Sequence, residues 1–211
     1  VLFSDVEDNP KKKHGKFSLY QWIGFVALLL FAGYIWRSVW QLWQADIAYN
    51  LGKQYTAAQA ATPAFQSLQK AITLSPNEAL FHDELSSLTA NLAVSAANQN
   101  QSTLSAQLTQ LTITESNTTI QLNPVHLNFY KTRTRAFITL AQLNPQFIEK
   151  AIQVLQKAEE LAPTDAKLPF NLGVVFELNG DKEKAKQFYE KAIRMKSNYG
   201  AAKDRLKGLE K

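Results

Sequence analysis

Two hydrophobic patterns divide this chain. From Phe17 to Trp36 there is no charged residue, and Ile23 through Phe31 is almost wholly apolar. Those twenty positions, at 1.5 Å of helical rise each, reach about 30 Å, the depth of a bilayer's hydrocarbon core. Tyr20 and Trp22 at one end and Tyr34, Trp36, Trp40 and Trp43 at the other stand where aromatic rings anchor a span among the headgroups. The pattern predicts a lipid-contacting transmembrane helix over 17–43, preceded by a basic loop over 1–16. Past Trp43 the apolar residues recur on one face at helical spacing. Leu168, Leu172, Val175 and Phe176 fall at i, i+4, i+7 and i+8, and Ala185, Phe188, Tyr189 and Ala192 form a partner stripe. The expected fold class is all-α.

Charge orients the span. Lys11, Lys12, Lys13 and Lys16 precede the apolar run, whereas only Arg37 and, further on, Lys53 follow it closely. Basic residues favour the cytoplasmic side, so a cytoplasmic N-terminus and an extracytoplasmic remainder are predicted, in a cell membrane that this segment crosses once. A cleaved signal peptide fits poorly, because Asp5, Glu7 and Asp8 lie ahead of the basic run and no small-residue cleavage motif follows the apolar one. The stretch from Val1 reads as a loop of a longer chain.

The remainder repeats itself. Lys70 to Pro76, Thr118 to Pro124, Lys157 to Pro163 and Lys191 to Ser197 share one design, a helix ending at a proline or its serine substitute. The end positions 76, 124, 163 and 197 are 48, 39 and 34 residues apart. A fixed period marks stacked units that cannot bury their apolar faces alone. In the last unit Phe170-Asn171-Leu172-Gly173, Phe176, Gly180-Asp181, Ala185, Tyr189 and Ala192 resemble the tetratricopeptide repeat family. Tyr49-Asn50-Leu51-Gly52, Tyr55, Ala64, Leu68, Ala71 and Pro76 show the same design. The resemblance implies about four helical hairpins, over 44–76, 77–124, 125–163 and 164–197, and a solvating capping helix over 198–211. Leu51, Gly52, Ala64, Ala71, Ala151, Ala158, Leu172, Gly173, Ala185 and Ala192 are the expected repeat-packing residues. In the polar second unit, Leu85, Leu88, Leu92, Leu104, Leu108, Leu111 and Ile120 are the expected core, with loose packing where Thr119 replaces an alanine.

The same resemblance implies a protein or peptide partner held in a concave groove lined by the first helix of each hairpin. The candidate groove residues are Asn50, Asn128, Tyr130, Lys131, Arg135 and Asn171, with Lys131 and Arg135 one turn apart and able to hold a carboxylate or phosphate. A narrower likeness adds a second possibility. A basic loop, a membrane helix, a hairpin opening Ala45-Asp46-Ile47 and the run from Leu122 to Arg133 resemble the C-terminal region of bacterial O-antigen ligase or polymerase-like membrane proteins. That implies an accessory tail for a glycan-transferring enzyme whose core lies upstream.

Composition narrows the chemistry. There is no cysteine, so thiol chemistry and sulfur-ligated zinc are excluded. The net charge of +5 comes from lysines interleaved with acids, as in Asp181 to Lys186, which is a solvated face and not a nucleic-acid footprint. His14, His82 and His126 are scattered and read as structural or exposed, so no metal is expected. The Asn100 and Asn117 sequons are short enough to arise by chance. No catalytic residue and no cofactor are expected in this chain, which reads as a binding scaffold and not an enzyme.

Overall fold

The structure, a computed structural model, describes residues 18–209. Among them every regular element is a helix: α1 (Leu19–Ala57), α2 (Ala61–Leu74), α3 (Ala79–Asn98), α4 (Ser102–Leu122), α5 (Leu127–Leu140), α6 (Gln146–Leu161), α7 (Lys167–Leu178), α8 (Lys182–Met195) and α9 (Gly200–Leu209). The lysines at 11, 12, 13 and 16, on which the expected orientation rests, His14 and Phe17 lie outside the described residues, as do the last two of the expected cap.

The chain forms two compact units, residues 1–41 and 42–211. In the first, the side chains of α1 from Leu19 through Ile35 are exposed. By length and composition α1 can cross a membrane, with a mean hydropathy of 1.6 and nothing buried over its most apolar eighteen residues. The aromatic belt predicts a boundary between span and first hairpin at 43/44, yet one helix runs through it. Nothing from Trp40 to Ala48 could stop it, since the stretch has neither proline nor glycine.

The second unit is a solenoid of four hairpins and a cap: the last turns of α1 with α2, then α3 with α4, α5 with α6, α7 with α8, and α9. Each hairpin ends in the same turn. The backbone N–H groups of Ser75, Asn123, Ala162 and Lys196 donate to the carbonyls of Ala71, Thr119, Ala158 and Ala192, and each is extended at φ between −139° and −146°. A following proline forces that extension at the first three. At Lys196 the turn forms without one, and Tyr199 N–H closes it by donating to the Lys196 carbonyl, as Glu78, His126 and Asp165 do at the other three.

Two apolar clusters hold the unit together. Ala45, Ala48, Tyr49, Ala64, Leu68, Ala71, Phe81, Leu85 and Leu88 form the first, and α3 then turns Ala90 and Ala93 into a second that continues through α5 to α8. Each fully buried leucine or tyrosine here contributes roughly 1.5–3 kcal/mol. Gly52, Ala64, Ala71, Ala151, Ala158, Leu172, Gly173, Ala185 and Ala192 are all buried. Leu51 is not, at 40% exposed. The inward stripe of α1 is Ala45, Ala48, Tyr49 and Gly52, spaced i, i+3, i+4 and i+7, and Leu51 falls off it.

In the second hairpin the expected Leu85 and Leu88 are buried and Leu92, Leu108 and Ile120 pack against the two clusters, but much of the remaining interior is polar. Its buried seam is Ser86, Thr89, Ser105, Thr112, Ser116 and Thr119, while Leu104 is 43% exposed. Hydroxyls tolerate this burial because each finds an acceptor, as when Thr119 donates to the Glu115 carbonyl and Ser105 crosses to the Ala93 carbonyl. Small side chains at these positions allow α3 and α4 to pack face to face.

Candidate functional site

The first helices of successive hairpins, α3, α5 and α7, line a concave face. Between α5 and α7 lies a cleft of about 540 Å³ bordered by Asn128, Lys131, Thr134, Arg135, Ile138, Lys167, Phe170, Asn171, Val174 and Tyr199. The helical period sets this lining. On α5, Asn128, Lys131, Thr134, Arg135 and Ile138 follow one face, with Phe129, Ala136, Phe137 and Leu140 turned to the core. On α7, Lys167, Phe170, Asn171 and Val174 do the same.

Four of the six expected groove residues, Asn128, Lys131, Arg135 and Asn171, therefore meet in one cleft. Tyr130 does not. It is 7% exposed, and its hydroxyl donates to the Pro124 carbonyl at 2.7 Å, pinning the turn before α5. Asn50 is exposed on α1 and donates to the Asp46 carbonyl. Lys167, Phe170 and Tyr199 complete the site. Tyr199, expected in the cap, packs its ring tilted against Phe170 with centroids 5.0 Å apart, so the segment entering α9 supplies the cleft's end wall. Nothing in local spacing signals that contact, which depends on how the cap seats.

The cleft is cationic. Lys131 reaches Asp165 across 2.9 Å, and Asp165 also accepts the Lys167 backbone N–H, starting α7. Burial raises the Asp165 carboxyl, but the Lys131 hydrogen bond, the Lys167 backbone bond and both ammonium charges outweigh it and hold it below its usual range. One of the three cations is thus matched, and among the described residues Arg135 and Lys167 make no salt bridge. Arg135 makes a 3.3 Å hydrogen bond to the Thr132 hydroxyl. Guanidinium and ammonium beside the Asn128 and Asn171 amides can take a carboxylate or phosphate, and Ile138, Phe170 and Val174 offer an apolar neighbour.

Arg135 also borders a second hollow of about 320 Å³ between α3 and α5, with Asp83, Glu84, Ser87, Asn91, Thr132 and Thr139. Asp83 is pushed up to about 7, first by burial and then by Glu84, against the Thr132 hydroxyl and Arg135, which pull it down. Among the described residues no group of three or more His, Asp or Glu is placed to hold a metal.

Residues 166–199, spanning α7, α8 and the Tyr199 turn, match the tetratricopeptide repeat family. Solved structures share the wider architecture. YrrB, described as a TPR protein with an unusual peptide-binding site, aligns over 90% of this chain and 92% of its own at 18% identity, with a TM-score of 0.55. MamA aligns over 72% and 78% at 20% identity with a TM-score of 0.54. PilF of Pseudomonas aeruginosa aligns over 80% and 68% at 20% identity with a TM-score of 0.53. No curated protein matches in sequence. The fold is an all-α solenoid of tetratricopeptide-type hairpins closed by a capping helix.

Proposed function

We propose that this chain is a membrane-tethered interaction module that holds an extended, acidic segment of a protein partner in the α5–α7 cleft, on the extracytoplasmic side. The observation that carries this reading is the convergence of Arg135, Lys167, Asn128 and Asn171 beside the apolar wall of Ile138, Phe170 and Val174. A charged group flanked by an apolar pocket selects a peptide with an acidic residue or terminus next to a large apolar side chain. The likeness to YrrB supports a peptide as the occupant, since that protein is described by its peptide-binding site. The candidate span of α1 supports the tether, and the lysines before it support the orientation.

The test is fluorescence anisotropy of the full chain in detergent with labelled decapeptides that are acidic, neutral or basic. Acidic peptides with a neighbouring leucine or phenylalanine should bind best, and more weakly as salt is added. Replacing both Arg135 and Lys167 with alanine should weaken them at least about tenfold, or about 1.4 kcal/mol. Equal binding of basic peptides, or an unchanged affinity in the double variant, would overturn the proposal.

A further inference from the structure

The second hairpin holds a buried ion pair that the groove does not use. His82 on α3 is 6% exposed, and both its ring nitrogens face acceptors. Nδ1 lies 2.5 Å from Glu115 Oε2 on α4, and Nε2 lies 2.9 Å from the carbonyl of Pro76, in the turn that ends the first hairpin. A carbonyl can only accept, so Nε2 must carry a proton. A neutral imidazole then presents its Nδ1 lone pair to a carboxylate at hydrogen-bond distance, which is repulsive. The contact therefore needs one further proton, on the ring or on the carboxyl.

We infer that His82, Glu115 and the Pro76 carbonyl form a proton clasp that fastens α3 to α4 while it holds its extra proton and releases them as rising pH removes it, loosening the groove wall that α3 provides. Three observations support this. The rest of the α3–α4 seam is made of serine and threonine hydroxyls that mostly bond within their own helices, so few polar bonds cross it besides the clasp, Thr89 to Thr112 and Ser105 to the Ala93 carbonyl. The clasp is the ion pair among the described residues that joins α3 to α4, so its loss removes the one charged link across the seam. Asp83 and Glu84, directly after His82, border the α3–α5 hollow, so movement of α3 reaches the groove.

The surrounding charges leave the clasp isolated. Glu115 is the sole titratable group of α4, and Lys70 of α2 is exposed. Glu78 caps the start of α3, and Asp83 and Glu84 couple to Tyr49 of α1. From α5, Arg135 couples to Asp83, Lys131 pairs with Asp165, Arg133 lies over Phe137, and Tyr130 bonds the Pro124 carbonyl. The hydrogen bond to Glu115 holds the imidazole above its usual 6.5, burial opposes it, and the Pro76 carbonyl assists. A group raised on folding stabilises fully below its unfolded value, and that stability is lost as pH climbs through the folded value. The clasp is thus closed at about pH 6, below the usual imidazole value, and opens as pH climbs through the raised one.

Hydrogen exchange of the full chain in detergent, corrected for intrinsic rates, tests this without any ligand. Between about pH 6 and about pH 9, protection in α3 and α4 should fall about tenfold relative to α7 and α8. Asp83, itself raised to about 7 on α3, adds to the fall, so the comparison is made in the Asp83→Asn background: there the fall should persist, and adding His82→Gln should abolish it. Parallel protection of both hairpins across the range, persistence of the fall in the Asp83→Asn, His82→Gln double variant, or its disappearance in Asp83→Asn alone would overturn the clasp. Should His82→Gln not fold, the ring nitrogen shifts of the unaltered protein decide: a proton shared with Nδ1 at about pH 6 supports the clasp, and a bare Nδ1 overturns it. The link to ligand binding rests on the groove reading, whereas exchange reads the clasp alone, so the two proposals fail separately.

Discussion

A Cβ on Gly173 would stand 2.6 Å from the Tyr189 ring, and one on Gly52 would stand 2.7 Å from the Leu68 side chain. Both glycines follow an Asn-Leu pair, and both mark the closest approach of two helices in a hairpin. Gly173→Ala should therefore cost about 1–3 kcal/mol in urea denaturation, because Tyr189 is fully buried and cannot retreat. Gly208→Ala, which meets nothing within 4 Å, should be neutral or stabilise by up to about 1 kcal/mol. These positions were legible in the sequence because packing fixes residue size at fixed spacing. The Lys131 to Asp165 pair was not, since its partners are 34 residues apart and meet only when α5 and α7 stack. Asp83 was equally hidden, as its burial comes from α5. Its carboxyl, raised to about 7, favours the neutral form, so its contribution to stability is present below about pH 4 and is lost as pH rises through about 7. Asp83→Asn should accordingly stabilise the fold at about pH 8 by on the order of 1–2 kcal/mol and do little at about pH 4, in urea melts at the two pH values.

Helix ends and hairpin partners were readable because prolines after helices force the same extended turn three times. Helix α1 runs unbroken from Leu19 to Ala57, since no proline lies within it and no glycine lies between Trp40 and Ala48 to weaken it. In the second hairpin Leu85 and Leu88 were legible, whereas the buried Thr89, Thr112 and Thr119 were not, because periodicity in apolar residues is blind to a threonine whose hydroxyl bonds the preceding turn. The capping element was found, but its contribution to the cleft was not. Tyr199 closes the cleft while Leu206 and Leu209 pack against the last hairpin. Truncation after Ser197 should therefore uncover Phe170 and Tyr189, with about 2 kcal/mol lost and a melting temperature lower by roughly 4–8 °C. Limited proteolysis should cut first in α7 and α8. Cleavage that still begins elsewhere would show that the cap covers nothing essential.

At the scale of the whole chain the open matter is which compartment each unit occupies, and the absence of cysteine makes it directly testable. An uncharged stretch with nothing buried along its apolar window has two homes, a bilayer or a partner's interior. A bilayer holds the helix by about 25 cal/mol per Å² of apolar surface, which alkaline carbonate does not weaken, whereas a docking contact that relies on charge is stripped by it. Full-length protein should thus remain with membranes through a carbonate wash, and residues 44–211 should be soluble and helical. That shorter chain must begin by Gln44, because Ala45, Ala48, Tyr49 and Gly52 are buried in the first hairpin and starting at Ala58 would strip the cover from Leu68. With the anchor confirmed, single cysteines set the orientation. Gln107, exposed on α4, should react as Gln107→Cys with a membrane-impermeant maleimide on intact cells, and Lys13→Cys should react only after lysis. Labelling in the reverse order would place the groove in the cytoplasm, where the lysines before the span could no longer be the residues that hold it there.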